Sequence, residues 1–144
     1  MPSALKGETS DCEELVVDML DIEPSSLKEL TSALASNRTL QCLALPCMNL
    51  SDEGALQLAN SLRHNDCLTS LDLSACGMGP LGAECISQIL HENQTLLSLN
   101  LRNNKIGIQG AIALSGALMV NCNLLELVLW VSLASVEVQC WRLS

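Results

Sequence analysis

A pattern of apolar residues that recurs at every twenty-eighth position limits what this chain can fold into more than any other feature of its sequence. The pattern is three leucines, then Asn, Cys or Met, then an aliphatic residue or Met, and finally glycine. Three copies keep this spacing, and they are Leu40, Leu43, Leu45, Met48, Leu50 and Gly54; Leu68, Leu71, Leu73, Cys76, Met78 and Gly82; and Leu96, Leu99, Leu101, Asn104, Ile106 and Gly110. A fixed period of this size predicts a solenoid, because a single unit cannot bury its apolar face and must stack on its neighbours.

Each unit is predicted to form a short strand, a turn and a helix. In the unit that begins at Leu68, Leu71 and Leu73 are expected to point into the core, because side chains alternate along a strand. Cys76 follows in the turn, where its thiol can bond to loop backbone groups. Gly82 stands where the helix starts, and its small size predicts a close approach to the neighbouring unit.

An asparagine stands where each helix is predicted to end. These residues lie three positions before the next leucine of the pattern, at Asn37, Asn65, Asn93 and Asn121. Asparagine tolerates the left-handed conformation that terminates many helices. We therefore expect these four residues to be left-handed helix caps.

The motif LxxLxLxx(N/C)x(L/I)xxxGA, followed by a helix, resembles the ribonuclease-inhibitor-like class of leucine-rich repeats. That class includes the sensor regions of NOD-like receptors and many cytosolic scaffold proteins. The resemblance implies an α/β leucine-rich-repeat solenoid, a short right-handed arc with parallel strands on the concave face and helices on the convex face. It also implies a non-enzymatic protein–protein interaction module. The alternative is a fragment or shortened form of a larger NOD-like-receptor-type innate immune sensor or regulator.

The repeat pattern divides the chain into three parts. Residues 1–11 are polar and aperiodic, which predicts a mobile N-terminus. Residues 12–130 form the predicted leucine-rich-repeat domain, with repeats that start near residues 12, 40, 68, 96 and 124. Residues 131–144 are a divergent tail that lacks the repeat glycine. The tail predicts either a cap built from an extra strand or a shortened version of a longer repeat protein, whose open apolar last layer would self-associate. The abrupt change in composition slightly favours the second.

The first repeat is less regular than the others. The acidic stretch 12–25 permits either a strand or a helix, and we interpret it as a cap, since a terminal repeat must present a polar outer face. A helix is predicted to open at Pro24, with Ser26 and Glu29 at the spacing of a capping box. Leu27 begins the apolar stripe of that helix.

Composition excludes several classes of function. The net charge of −9 argues against nucleic acid and anionic membrane surfaces as partners. No apolar run reaches the roughly 18–20 residues of a membrane span, and the N-terminus has no signal-like apolar core, so a cytoplasmic protein without membrane insertion is expected. The 8 cysteines show no CxxC and no metal-ligand spacing, which predicts reduced, structural thiols.

Enzymatic and cofactor sites are not predicted. Gly77, Gly79 and Gly82 form a GxGxxG between a strand and a helix, the setting of a dinucleotide-binding loop. Gly82, however, belongs to the repeat column, and no acid follows at the ribose-binding distance. His64 and His91 are the only histidines and have no second metal ligand in pattern. We therefore expect no catalytic residue, no cofactor and no metal.

The predicted partner-binding surface is the concave face of the sheet. Its outward positions carry side chains that the fold does not need, so their identity is available for binding a protein partner, which the sequence does not identify. The predicted contact residues are Ser70, Asp72, Ser74, Ser98, Asn100, Arg102, Glu126, Val128 and Trp130. Arg102 and Trp130 are the expected anchors, since Arg and Trp are frequent among binding hot spots.

Overall fold

The computed structural model describes residues 13–17 and 22–129, and the backbone of 131–133, 136–138 and 141–142. Strands and helices alternate through this part of the chain, as the repeat predicts. The elements are β1 (Glu13–Val16), α1 (Pro24–Ser36), β2 (Leu40–Ala44), α2 (Ser51–Leu62), β3 (Ser70–Asp72), α3 (Pro80–Glu92), β4 (Ser98–Asn100), α4 (Gly107–Leu118), β5 (Glu126–Val128), β6 (Val131–Leu133), β7 (Val136–Val138) and β8 (Trp141–Arg142). The predicted mobile segment 1–11 lies outside the described residues.

The sheet is parallel from β1 to β5, and equivalent residues of successive repeats are partners. Leu43 pairs with Leu71, Leu71 with Leu99, and Leu99 with Leu127, so the period of the sequence is also the register of the sheet. Among the described helices, each packs against the helices that precede and follow it in the chain, and against no other helix. The fold is therefore the predicted α/β leucine-rich-repeat solenoid, with strands concave and helices convex.

The core is a continuous column of leucines between the strands and the helices. The three leucines of the repeat that begins at Leu68 are at most 1% exposed, and Met78 is fully buried. The 144-residue chain has no Phe or Tyr, so stacked aliphatic layers do the packing. Apolar burial stabilises a fold in proportion to the area removed from water. Each repeat buries its leucines against the neighbouring repeats, so the repeats are stable only when they are stacked.

The repeat glycine lies in the first turn of α2, α3 and α4, where close packing leaves no room for a side chain. A Cβ on Gly110 would lie 2.9 Å from the Cβ of Ala83, and one on Gly82 would lie 3.2 Å from the Cβ of Ala55. Both would also clash within their own repeat, with Ile106 and Met78. The predicted close approach at this column is confirmed.

The four asparagines do not adopt the left-handed conformation that we predicted. Asn37 and Asn93 are extended, with φ of −69° and −77°. The amide of Asn65 instead donates to the carbonyls of Leu34 (2.8 Å) and Asn37 (3.2 Å) in the preceding repeat. Its Oδ1 accepts from the backbone N–H groups two and three residues on, at 2.9 and 2.8 Å. Asparagine is used here because one side chain both donates to the previous repeat and turns its own chain into the next strand.

The N-terminal region resolves one open alternative and corrects one prediction. Residues Glu13–Val16 form a strand that pairs in parallel with β2, so the strand alternative holds. Helix α1 begins at Pro24 as predicted, but its N-cap is Glu23, and no side chain caps it. The capping box of Ser26 and Glu29 is wrong, because proline at the first helical position starts the helix before Ser26 is reached.

The C-terminal tail pairs with the last repeat. The backbone of β8 is antiparallel to β5, with Glu126 opposite Arg142 and Leu127 opposite Trp141. Strands β6 and β7 pair with each other in a separate antiparallel sheet. The pairing of β8 with β5 is the arrangement expected of a strand cap. It covers the edge of β5 over two residue pairs.

Candidate functional site: the concave face

Two rows of side chains run across the concave face of the sheet. The register places Cys42, Ser70, Ser98 and Glu126 in one row, and Ala44, Asp72, Asn100 and Val128 in the next. The intervening leucines are buried, while most side chains of the rows are half-buried and Glu126 is exposed. The structure thus brings together the predicted strand residues Ser70, Asp72, Ser98, Asn100, Glu126 and Val128 on one surface.

The two polar residues at the centre of this surface have a structural role that sequence reasoning missed. Oδ1 of Asp72 accepts from the backbone N–H of Ser74 at 2.8 Å, and Oδ1 of Asn100 accepts from that of Arg102 at 3.0 Å. Such Asx turns end the strand and aim the chain into the loop. This role could have been predicted from the sequence, because an Asp or Asn stands at the end of each of these strands, two residues before the residue whose N–H it binds. The Asp72 carboxylate keeps a second oxygen with which a partner can bond.

The remaining predicted residues lie at the margins of the surface. Ser74 and Arg102 lie two residues after Asp72 and Asn100, just beyond the ends of β3 and β4. Ser74 is half-buried and Arg102 is exposed. Ser98 and Glu126 are linked by a hydrogen bond of 3.4 Å between their side chains. Trp130, the second predicted anchor, lies outside the described residues.

The concave surface also extends beyond the predicted contact residues, through β2 to β1. Glu14 pairs with Cys42 and Val16 with Ala44, so β1 continues both rows. Val16 is 55% exposed and forms an apolar end to the second row. The repeat period could have found it, because Val16 occupies in the first repeat the position that Ala44 has in the next. Carboxylates at Glu14, Asp72 and Glu126 make this face locally acidic.

The GxGxxG segment does not form a phosphate-binding loop, because the chain fills it. Oδ1 of Asp52, in the preceding repeat, accepts from the backbone N–H groups of Gly79 (2.7 Å) and Gly82 (2.8 Å) at the start of α3. A helix N-terminus is an anion site, and a carboxylate occupies this one. The glycines are needed for this contact, since a Cβ on Gly79 would lie 3.1 Å from Asp52. In the same loop, Gly77 has a φ of +68°, a left-handed conformation that favours glycine.

Cys76 behaves as the sequence suggests, as a buried donor. Its thiol is fully buried and donates to the carbonyl of Leu45 in the preceding repeat at 3.1 Å. Burial raises the pKa of the Cys76 thiol to about 12, although a hydrogen bond with the backbone of Met48 acts in the opposite direction. A thiol with this pKa stays protonated at neutral pH and is a poor nucleophile.

The other candidate groups form no site in the part of the chain that the structure describes. No cysteine there forms a disulfide, and Cys47 and Cys122 are exposed. Within residues 13–17 and 22–129, no His, Cys, Asp and Glu side chains gather in a group able to hold a metal ion. His64 and His91 are both exposed. No described helix is long and apolar enough to cross a membrane.

Comparisons with known proteins agree with this architecture. A family model described as "Leucine Rich repeat" matches residues 64–87 and 92–115. The structure of leiomodin-1 actin-binding site 2 superposes with a TM-score of 0.77 at 29% sequence identity, over 84% of this chain and 72% of that one. The tropomodulin C-terminal domain of Caenorhabditis elegans superposes with a TM-score of 0.69 at 18% identity, over 88% and 77% of the two chains. No curated protein sequence matches the chain. Together with the repeat register, these comparisons show that the chain has a leucine-rich-repeat fold, in which two repeats match the family model.

Proposed function

We propose that this chain is a cytoplasmic, non-enzymatic module that binds a protein partner on its concave face. The observation that supports this is the pair of surface rows from β1 to β5, whose side chains are ordered by the register yet lie outside the core. Leucine-rich repeats generally serve as binding modules rather than as enzymes. The described cysteines form no disulfide, which fits a reducing compartment.

The chemistry of the face favours a partner with basic groups. Glu14, Asp72 and Glu126 place carboxylates at both ends and in the middle of the rows, and the whole chain has a net charge of −9. Charge complementarity of this kind speeds association and selects between partners. Arg102, at the end of β4, would pair with an acidic group of the partner and so fix its orientation.

Actin is the first named partner to test. The similar leiomodin-1 domain is named an actin-binding site, and the likeness at 29% identity covers 84% of this chain. Binding to purified actin, monomeric and filamentous, is measured by fluorescence and by co-sedimentation. An absence of binding would remove actin as the partner, and the concave-face proposal would then be tested with other cytoplasmic proteins.

The test of the face itself uses substitutions that keep the fold. Asp72→Asn removes a charge but keeps the Oδ1 acceptor for Ser74, as Asn100 does in the next repeat. Combined with Arg102→Glu, it should weaken partner binding more than tenfold, or about 1.4 kcal/mol, without lowering the unfolding midpoint. Glu53→Lys, on the exposed surface of α2, is the matched control. Equal binding by all three proteins would contradict the proposal.

The alternative, a piece of a longer NOD-like-receptor-type sensor or regulator, has one supporting observation. On α3, Ala83, Ser87 and Leu90 are buried where α4 packs. The same residue types recur at the equivalent positions of α4, at Ala111, Ser115 and Leu118. A further repeat packed on α4 would bury them. The size of the natural protein, measured by immunoblot of cell extracts, distinguishes the two functions.

A further inference from the structure

Helix α4 has an outer surface unlike that of the other helices. No charged residue occurs from Ile106 to Leu125, in a chain whose net charge is −9. Three large side chains on the surface of α4 are exposed to solvent: Ile108 at 54%, Ile112 at 58% and Met119 at 88%. These exposures remain although β6 contacts α4. An exposed apolar stripe of this kind marks an interaction surface.

The neighbouring repeat shows that the fold does not require this stripe. The positions of α3 that are equivalent to Ile112 and Met119 hold Glu84 and His91, and both are exposed. Helices α1 and α2 also carry charges on their surfaces. Isoleucine and methionine at these positions of α4 therefore serve something other than the packing of the solenoid.

We propose that the stripe of α4 pairs with the same stripe of a second copy of this chain. Ile108, Ile112, Ser115 and Met119 are spaced by four, three and four residues, the spacing of one helix face that packs on another helix. In an antiparallel pair, Ile108 meets Met119 of the second copy, and Ile112 meets Ser115 of the second copy. Each large side chain at the centre thus faces a small one, so the surface is complementary to itself, as a twofold interface requires.

The absence of charged side chains from the stripe of α4 and the area that the stripe exposes both favour a second copy of this chain as the partner that covers it. Two acidic chains repel each other wherever carboxylates meet, and the stripe of α4 offers no charged side chain of its own. The four side chains of the stripe, with Leu81 beside them at 65% exposure, expose on the order of 600 Å² per copy. A symmetric pair that covered all of this area would bury at most about 1,200 Å², the lower end for specific interfaces.

The experiment is sedimentation velocity of the full chain over a wide range of concentration. Ile112→Glu gives α4 the residue type that α3 carries at Glu84, so the variant should fold. Leu56→Glu is the matched control, because Leu56 occupies the equivalent position of α2 and is 46% exposed. Ser115→Glu tests the antiparallel arrangement, since it removes no apolar side chain from the stripe.

We expect the unmodified chain and Leu56→Glu to form dimers. Ile112→Glu and Ser115→Glu should each raise the dimer dissociation constant at least about tenfold, because each would bury a carboxylate against the second copy. A monomeric unmodified chain overturns the proposal, and so does a dimer that survives Ile112→Glu. The concave-face residues are not altered in these variants, so the outcome is independent of the proposed function.

Discussion

Removing the side chain of Asn65 should cost this protein much of its stability. Asn65 is 4% exposed, and its side chain makes four hydrogen bonds. Two of these reach the preceding repeat, at the carbonyls of Leu34 and Asn37, and two hold the N–H groups of Cys67 and Leu68. Asn65→Ala leaves these four backbone groups without that partner at a site that water hardly reaches.

The magnitude follows from the number of bonds. At about 1 kcal/mol for each hydrogen bond, Asn65→Ala should lower the free energy of unfolding by roughly 3–4 kcal/mol. A domain of this size is stable by only about 5–15 kcal/mol, so the change is large. Asn65→Asp should cost at least as much, because it turns two donated bonds into repulsion between oxygens. The assay is urea unfolding followed by circular dichroism, with the exposed Asn60→Ala as the control.

The same substitution can be compared between repeats. Asn93 is less buried, and its amide donates over longer distances, 3.4 Å to Leu62 and 3.3 Å to Asn65. Asn93→Ala should therefore cost less than Asn65→Ala. A loss below about 1 kcal/mol for Asn65→Ala, or an Asn65→Asp variant as stable as the original, would refute the account of this column as a hydrogen-bonded ladder.

Three further predictions follow from the loops between strands and helices. Asp52→Ala should lower the free energy of unfolding by about 1–3 kcal/mol, and Asp52→Asn by less since it keeps the acceptor for Gly79 and Gly82; urea melts compare the two. Ala75→Gly should raise stability by about 0.5–1 kcal/mol in the same assay, because Ala75 has a φ of 56°. Burial raises the pKa of the Cys76 thiol from its ordinary 9.0 to about 12. The folded chain therefore keeps this proton at pH values where the unfolded chain loses it, so the free energy of unfolding should fall by about 1–2 kcal/mol between pH 8 and 10. Cys76→Ala should lack this part of the pH dependence, and an unchanged slope would contradict it.

The fold could be predicted from the sequence because its period and its register are the same quantity. A leucine one repeat period after another is its neighbour in the sheet, so the spacing of Leu71 and Leu99 predicts their contact. The glycine column was predictable for the same reason, since Gly110 packs on Ala83 of the preceding repeat. The rows of the concave face followed directly from the alternation of side chains along each strand.

The bonds between repeats could not be predicted in the same way. Asn65 and Asp52 resemble a helix cap and a solvated acid when each is considered within its own repeat. Both act on groups 27 to 31 residues away, which become neighbours only when the repeats stack. Local propensity therefore assigned Asn65 a left-handed conformation that the structure does not require. The capping box of Ser26 and Glu29 was wrong for a similar local reason, although the start of α1 at Pro24 was predicted correctly.

The two proposed surfaces lie on opposite sides of the solenoid, and this has a consequence for binding. Pairing through α4 joins the convex sides of two copies and leaves both concave faces open, because the described stripe of Ile108, Ile112 and Met119 shares no residue with the rows through Asp72 and Asn100. A dimer would then bind a partner with repeated sites, such as a filament, at two points. Its second contact forms at high effective concentration, so overall binding exceeds that of one face. Ile112→Glu should therefore weaken binding to a repeated partner while leaving binding to a single, monomeric partner unchanged, a difference that substitutions on the concave face cannot produce.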